Sequence, residues 1–187
     1  MSLQCKICGN EYTNKAFKWC KPCQINYLKR NFINWTSGNE NIDEFIKEMQ
    51  FKINSYYDII FEWIPYSHFN NIKEISRDDY ITIYSAIWYN SPLYYDEHKI
   101  GYTRYQFCRY KNVNLKCLDN LQITTNEFLN KVNAYSIKRQ DNIRKIYGIS
   151  QNPNTKDYIM VLEVNILISQ TGRVEIKKSI NLFKTCN

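Results

Sequence analysis

The sequence predicts an α+β fold: a five-stranded antiparallel sheet carrying one main helix, preceded by a small paired-cysteine module and a helical linker. Three observations carry that prediction. Four cysteines stand in two C-x₂-C pairs within residues 1–30. Ile42, Phe45, Ile46, Met49 and Ile53 then recur at helical spacing. From Pro65 onward the pattern changes to short β-branched and aromatic runs interrupted by a single helical stretch. The chain has 187 residues, 44% of them hydrophobic and 23% charged, which is room for one ordinary domain plus a small one.

The first element is the cysteine module, residues 1–30. Cys5-Lys6-Ile7-Cys8 and Cys20-Lys21-Pro22-Cys23 place two thiolates on each of two tight turns. Two such turns close a tetrahedral S₄ site around one ion, so zinc is the expected cofactor. A closed site leaves no position for water, and its role is then structural. A segment this short cannot bury enough surface to fold alone, and the metal would supply its folding energy. Tyr12, Phe17 and Trp19 are expected as its apolar cap and not as a base-stacking platform. Cys108, Cys117 and Cys186 have no partner spacing and read as ordinary thiols.

Residues 31–64 read as a linker with two helical pieces, broken at Thr36-Ser37-Gly38-Asn39; Asp43 and Glu44 lie in the first turn of the second. Strands are predicted over Phe69–Ile75, Tyr80–Trp88, Val113–Leu118, Ile143–Ile149 and Tyr158–Val164. The intervening helix runs from about Thr125 to Ile137, with Phe128, Val132 and Tyr135 as its apolar stripe and Thr124 or Thr125 as cap. The tyrosine-rich stretch from Tyr89 to Asn112 is too long for a tight turn and reads as an elaborated loop. Residues 165–187 are a basic tail.

Charge and composition bound the partners. The formal charge is +7, and residues 1–35 carry Lys6, Lys15, Lys18, Lys21, Lys29 and Arg30 against Glu11 alone. These cations either offset the −2 charge of a zinc–tetrathiolate centre or mark a nucleic-acid surface. No run of about eighteen apolar residues predicts a membrane span. The amino terminus has no secretory apolar region, so the cysteines are not expected as a disulfide framework. The expected location is intracellular, cytoplasmic or nuclear.

Residues 65–164 resemble the N-lobe of the protein kinase superfamily, in particular the expanded tyrosine-kinase-like families of fungi. The runs Ile72-Lys73-Glu74-Ile75 and Tyr80 to Trp88 resemble the two strands around a glycine-rich loop. Val113-Asn114-Leu115-Lys116-Cys117-Leu118 resembles the third strand, with Lys116 as the ATP lysine. Asn126 to Val132 resembles the helix that supplies the partner glutamate, Ile143 to Gly148 the fourth strand, and Tyr158 to Glu163 the fifth strand and hinge. The resemblance implies a nucleotide site of Ile75, Ile83, Lys116, Leu162 and Glu163, with Leu162 as gatekeeper.

The departures from that pattern decide the expected function. The loop stretch Ser76-Arg77-Asp78-Asp79-Tyr80-Ile81 contains no glycine, so backbone cannot close over phosphates as a G-x-G-x-x-G loop does. Lys131 stands where the ion-pair glutamate belongs, Glu127 is expected to pair with Lys131, and Asn114 stands where a small residue faces adenine. His68 and His98 lie in no H-R-D, no D-F-G follows, and only residues 164–187 come after Glu163. No catalytic residue can be assigned, and binding of ATP with magnesium is not expected. The sequence thus predicts a truncated, pseudokinase-type module acting through a protein partner; a small zinc-dependent nucleic-acid or regulatory protein is the alternative.

Overall fold

The computed structural model describes residues 4–31, 35–104, 110–118, 123–137 and 145–164. Helix α1 spans Lys21–Asn31 and α2 spans Glu40–Phe51. The strands are β1 (Glu62–Trp63), β2 (Phe69–Arg77), β3 (Ile81–Tyr89), β4 (Leu93–Asp96), β5 (Gly101–Arg104), β6 (Tyr110–Leu118), β7 (Ile146–Gln151) and β8 (Tyr158–Glu163), with α3 (Thr125–Ile137) between β6 and β7. The expected basic tail, 165–187, and residues 143–144 of the expected fourth strand lie outside the described residues, as do Cys108 and Cys186.

Six strands form the main sheet in the order β1-β7-β8-β6-β3-β2. Five of them pair antiparallel, in the arrangement expected from the runs of apolar residues. The sixth, β1, is an addition: it pairs parallel to β7, Glu62 opposite Gly148 and Trp63 opposite Ile149. The linker is therefore not helical as far as residue 64. The α2 cap at Lys52 ends the helix, and the Asp58 carboxylate turns the chain by accepting from the backbone N–H of Asn54 and Ser55. Gly148 permits the parallel contact, because a Cβ there would lie 1.9 Å from the Glu62 carbonyl oxygen.

Both faces of the sheet are covered. In β8 the apolar run Ile159-Met160-Val161-Leu162 is buried throughout. Met160 and Leu162 meet Ile42, Ile46, Phe128 and Val132 from α2 and α3. Ile159 and Val161 face the other way, onto Trp88, Leu115 and Tyr147. A strand buried on both faces reads as a continuous apolar run. At the other extreme β2, an outer strand rich in polar residues, is exposed along most of its length.

Both α2 and α3 begin where side-chain oxygens replace missing helical acceptors. Asn39 Oδ1 accepts from the N–H of Asn41 and Ile42. Thr124 and Glu127 form a reciprocal box: the Thr124 N–H donates to Glu127 Oε2 at 2.8 Å, and the Glu127 N–H to Thr124 Oγ1 at 3.3 Å. Glu127 thus reaches back to the cap with its hydrogen bonds, while the Lys131 charge expected as its partner acts on it more weakly through space.

The region expected as a loop, Tyr89 to Asn112, contains a second, two-stranded sheet, β4 with β5, pairing Leu93 with Arg104 through Asp96 with Gly101. Arg104 and the buried Glu62 form an ion pair that ties this hairpin to β1. Arg104 also donates to the Ser91 carbonyl, which fixes the turn entering β4. Among the described residues no helix is long and apolar enough to cross a membrane.

Candidate functional site

The cysteine module is two knuckles and a helix start. In the first knuckle the Cys5 N–H donates to the Asn10 carbonyl and the Gly9 N–H to the Cys5 carbonyl. Gly9 has φ of +76°, a left-handed conformation that glycine adopts without Cβ strain. In the second, Asn14 and Trp19 exchange backbone hydrogen bonds at 2.9 Å, and the chain then enters α1. Pro22 sits in the first turn of α1, where its missing N–H leaves no helical bond unmade. Thr13 Oγ1 accepts from the Lys21 N–H.

These turns bring Cys5, Cys8, Cys20 and Cys23 together, with all four sulfurs within 4.8 Å of one another. The Cys5–Cys23 and Cys8–Cys20 sulfurs are each 3.7 Å apart. Four sulfurs placed tetrahedrally at about 2.3 Å from one ion lie about 3.8 Å from each other, so the cluster has the dimensions of a metal centre. Cys5, Cys20 and Cys23 are buried and Cys8 is exposed. Burial opposes ionisation of Cys5, but hydrogen bonds from the backbone of Cys8 and Ile7 outweigh it and bring its pKa to about 7. Burial raises Cys20 and Cys23, and neighbouring sulfurs raise Cys23 further. A cation at the centre removes that repulsion, which is the electrostatic reason such a cluster holds one.

Tyr12 and Trp19 are buried as a cap, whereas Phe17 is 38% exposed and stacks on Tyr56. Tyr12 packs on the cysteines, and Trp19 is fully buried with Leu28, Ile53, Ile60, Tyr95 and Tyr102. The Trp19 indole donates to the Tyr102 hydroxyl, and the Tyr95 hydroxyl donates to the Lys18 carbonyl. The knuckles therefore share a core with the β4–β5 hairpin. Sequence reasoning missed this partnership. The available signal was the alternation in Leu93-Tyr94-Tyr95-Asp96 and Gly101-Tyr102-Thr103-Arg104 on either side of a polar turn.

The residues picked out by the kinase resemblance are only partly convergent. Lys116 lies on β6, 7% exposed, with Ile83 and Met160 as its cross-strand neighbours. Leu162 is buried on the same, helix-bearing face. The Lys116 ammonium donates to the Tyr135 hydroxyl at 2.5 Å and lies 4.3 Å from that ring's centre. A phenol from α3 meets the lysine, while Lys131, one turn earlier, is exposed. Ile75 is 55% exposed, at an irregularity in the β2–β3 register between Glu74 and Ser76. Glu163 accepts from the Tyr147 hydroxyl, whose ring packs on the opposite face.

The β2–β3 connection is closed by its own side chain. Asp78 Oδ1 accepts from the N–H of Tyr80 and Ile81 at 2.9 and 2.8 Å, and the Asp78 N–H donates to the Ile81 carbonyl. Arg77 forms a two-pronged pair with Glu74. Asp78 is thus an internal brace of the turn. The sequence matches no protein-family model and none of the curated proteins.

Proposed function

We propose that this chain is a catalytically inactive, kinase-like interaction module with structural zinc at Cys5, Cys8, Cys20 and Cys23. The observation that carries the reading is the partner of Lys116. A kinase lysine needs a carboxylate on the neighbouring helix to orient it toward phosphates. Here Tyr135 holds the ammonium, and a neutral phenol supplies no charge to set against it. The glycine-free β2–β3 turn, braced by Asp78, supports the same reading because it offers no bare backbone to a triphosphate. The five antiparallel strands, with one helix between the third and fourth, are the elements that the resemblance implies. Phosphoryl transfer depends on positioning and electrostatic stabilisation of the transferring group, and these residues supply neither.

A thermal-shift titration with ATP and magnesium tests the proposal. The expected curve is flat for the natural chain and for Lys116→Met. A rise in melting temperature that disappears in Lys116→Met would overturn it. Elemental analysis of the purified chain should give about one zinc per molecule. The partner is then a protein. Against a nucleic-acid partner stands the burial of Tyr12 and Trp19, which leaves them no face for stacking on bases.

A further inference from the structure

Between the second knuckle, the loop after α2 and the β4–β5 hairpin lies a cleft of about 360 Å³, at the small end of ligand-sized cavities. Phe17, Tyr56, Tyr94 and Tyr95 supply its rings, and Asp96 and Glu97 supply its charge. The aromatic wall is preorganised. Phe17 and Tyr56 stack with ring centres 3.9 Å apart and planes 20° from parallel. Tyr95 is buried against Tyr102, and its hydroxyl is committed to Lys18.

The carboxylate of Asp96 is also partly committed. Its Oδ1 accepts from the N–H of His98 at 2.9 Å and of Lys99 at 3.4 Å, which closes the hairpin turn. The Lys99 ammonium stands 3.9 Å from Oδ2, an exposed contact that solvent screens strongly. The cleft thus joins aromatic rings to the carboxylates of Asp96 and Glu97. It does so in a chain whose net charge is +7.

We propose that this cleft binds a quaternary ammonium group, the trimethylammonium head of a choline-type molecule or of a trimethylated lysine. Ring faces attract a cation through their quadrupole. A primary ammonium is a strongly hydrated point charge that loses much of its water on entering, whereas a quaternary ammonium has no N–H groups and gives up little hydration against the rings. An anion would be repelled by Asp96 and Glu97, and a neutral apolar group would desolvate those carboxylates without compensation. Because Phe17 comes from the knuckle, the cleft exists only while the metal centre is folded.

The test is a calorimetric titration of the zinc-loaded full chain with choline and with Nα-acetyl-trimethyllysine amide. Each has a control in which the nitrogen is replaced by carbon to give a neutral tert-butyl isostere. Both cations should bind and compete with each other, and the tighter one identifies the natural source. The isosteres should bind about ten-fold more weakly. Tyr56→Leu and Glu97→Gln should each weaken binding about three- to ten-fold in protein that stays folded and keeps its metal content. Isosteres as tight as the cations would overturn the proposal. So would undiminished affinity in a folded, metal-loaded Tyr56→Leu variant, or no heat from either cation at millimolar concentrations. Failure of these arms leaves the ATP titration unaffected, so the two readings are tested separately.

Discussion

The cysteine knuckles and the Lys116 face are built by opposite means. In the knuckles, short turns aim four like-charged ligands at one point, and the cluster holds little apolar material beyond Tyr12. On the Lys116 face the backbone is fixed by sheet pairing and a large apolar core, while the polar groups are dispersed. Lys116 turns to Tyr135, Glu163 to Tyr147, and Asp78 into its own turn. The first region brings four potential metal ligands together. The second holds its strands in register while the side chains picked out by the resemblance point to separate partners. Convergence of side chains, and not the quality of the surrounding scaffold, separates a site from a framework.

The strongest way to break this comparison is to remove the ion. Structural zinc contributes about 10–16 kcal/mol of apparent binding free energy in small metal-folded peptides. Cys20→Ser should therefore lose the metal and unfold residues 4–31. Trp19 and Leu28 share a core with Tyr95 and Tyr102, so protection should also fall in β4 and β5. Hydrogen exchange should show fast amides in these segments and unchanged protection in β6 and β8. Knuckles that stay protected without metal would make the two regions alike.

A second break lies at the seam between linker and sheet. Gly148→Ala puts a Cβ where the Glu62 carbonyl sits, and backbone must move. The expected loss is about 2–4 kcal/mol in a urea melt, as for other overpacked core positions. The metal content should not change, because Glu62 and Gly148 lie in the main sheet, and Cys5, Cys20 and Cys23 cluster apart from it with Tyr12.

How much of this was legible in the sequence follows the same division. The cysteine pairs are local signals, and spacing alone points to the cluster. Helix α3 is equally local, since Thr124, Glu127, Phe128 and Val132 carry both cap and stripe. Of the five expected strands, all but β2 announce themselves as β-branched and aromatic runs, while β2 carries polar residues along most of its length. The hairpin β4–β5 and strand β1 are not announced in this way, because their stability is tertiary. Tyr95 and Tyr102 gain meaning only against Trp19, and Glu62 only against Arg104. Spacing also left out the cap's hold on Glu127, which takes its hydrogen bonds from Thr124 while Lys131 at i+4 acts only through its charge.

The Lys116 contact offers a finer test. Tyr135→Phe removes the oxygen that accepts from a nearly buried ammonium. Leaving such a group unsatisfied should cost about 1–3 kcal/mol by chemical denaturation. Lys116→Met should recover part of that loss when combined with Tyr135→Phe, since the charge and its missing acceptor go together. Equal stability of Tyr135→Phe and the natural chain would show the hydrogen bond to be incidental.

The smallest expected effect concerns acid. Asp43 accepts from the Thr36 hydroxyl at 2.6 Å, the Ser37 N–H at 2.8 Å and the Ser37 hydroxyl at 2.5 Å, in the first turn of α2. Burial alone would raise its pKa, but the hydrogen bonds from Ser37 and Thr36 outweigh it and lower the value below 3.8. The unfolded chain therefore binds this proton more readily than the folded one. The stabilisation is complete above the unfolded value and disappears as pH falls through the lower, folded one. The thiolates compete with protons at higher pH than this, so metal should leave the knuckles before α2 loosens from the sheet. Asp43→Asn should cost about 1 kcal/mol at neutral pH and flatten the acid limb of the stability curve below about pH 4, with the pH of metal release unchanged. A variant that shifts metal release together with the acid limb would show that knuckles and sheet unfold as one unit, and the contrast between them would fail.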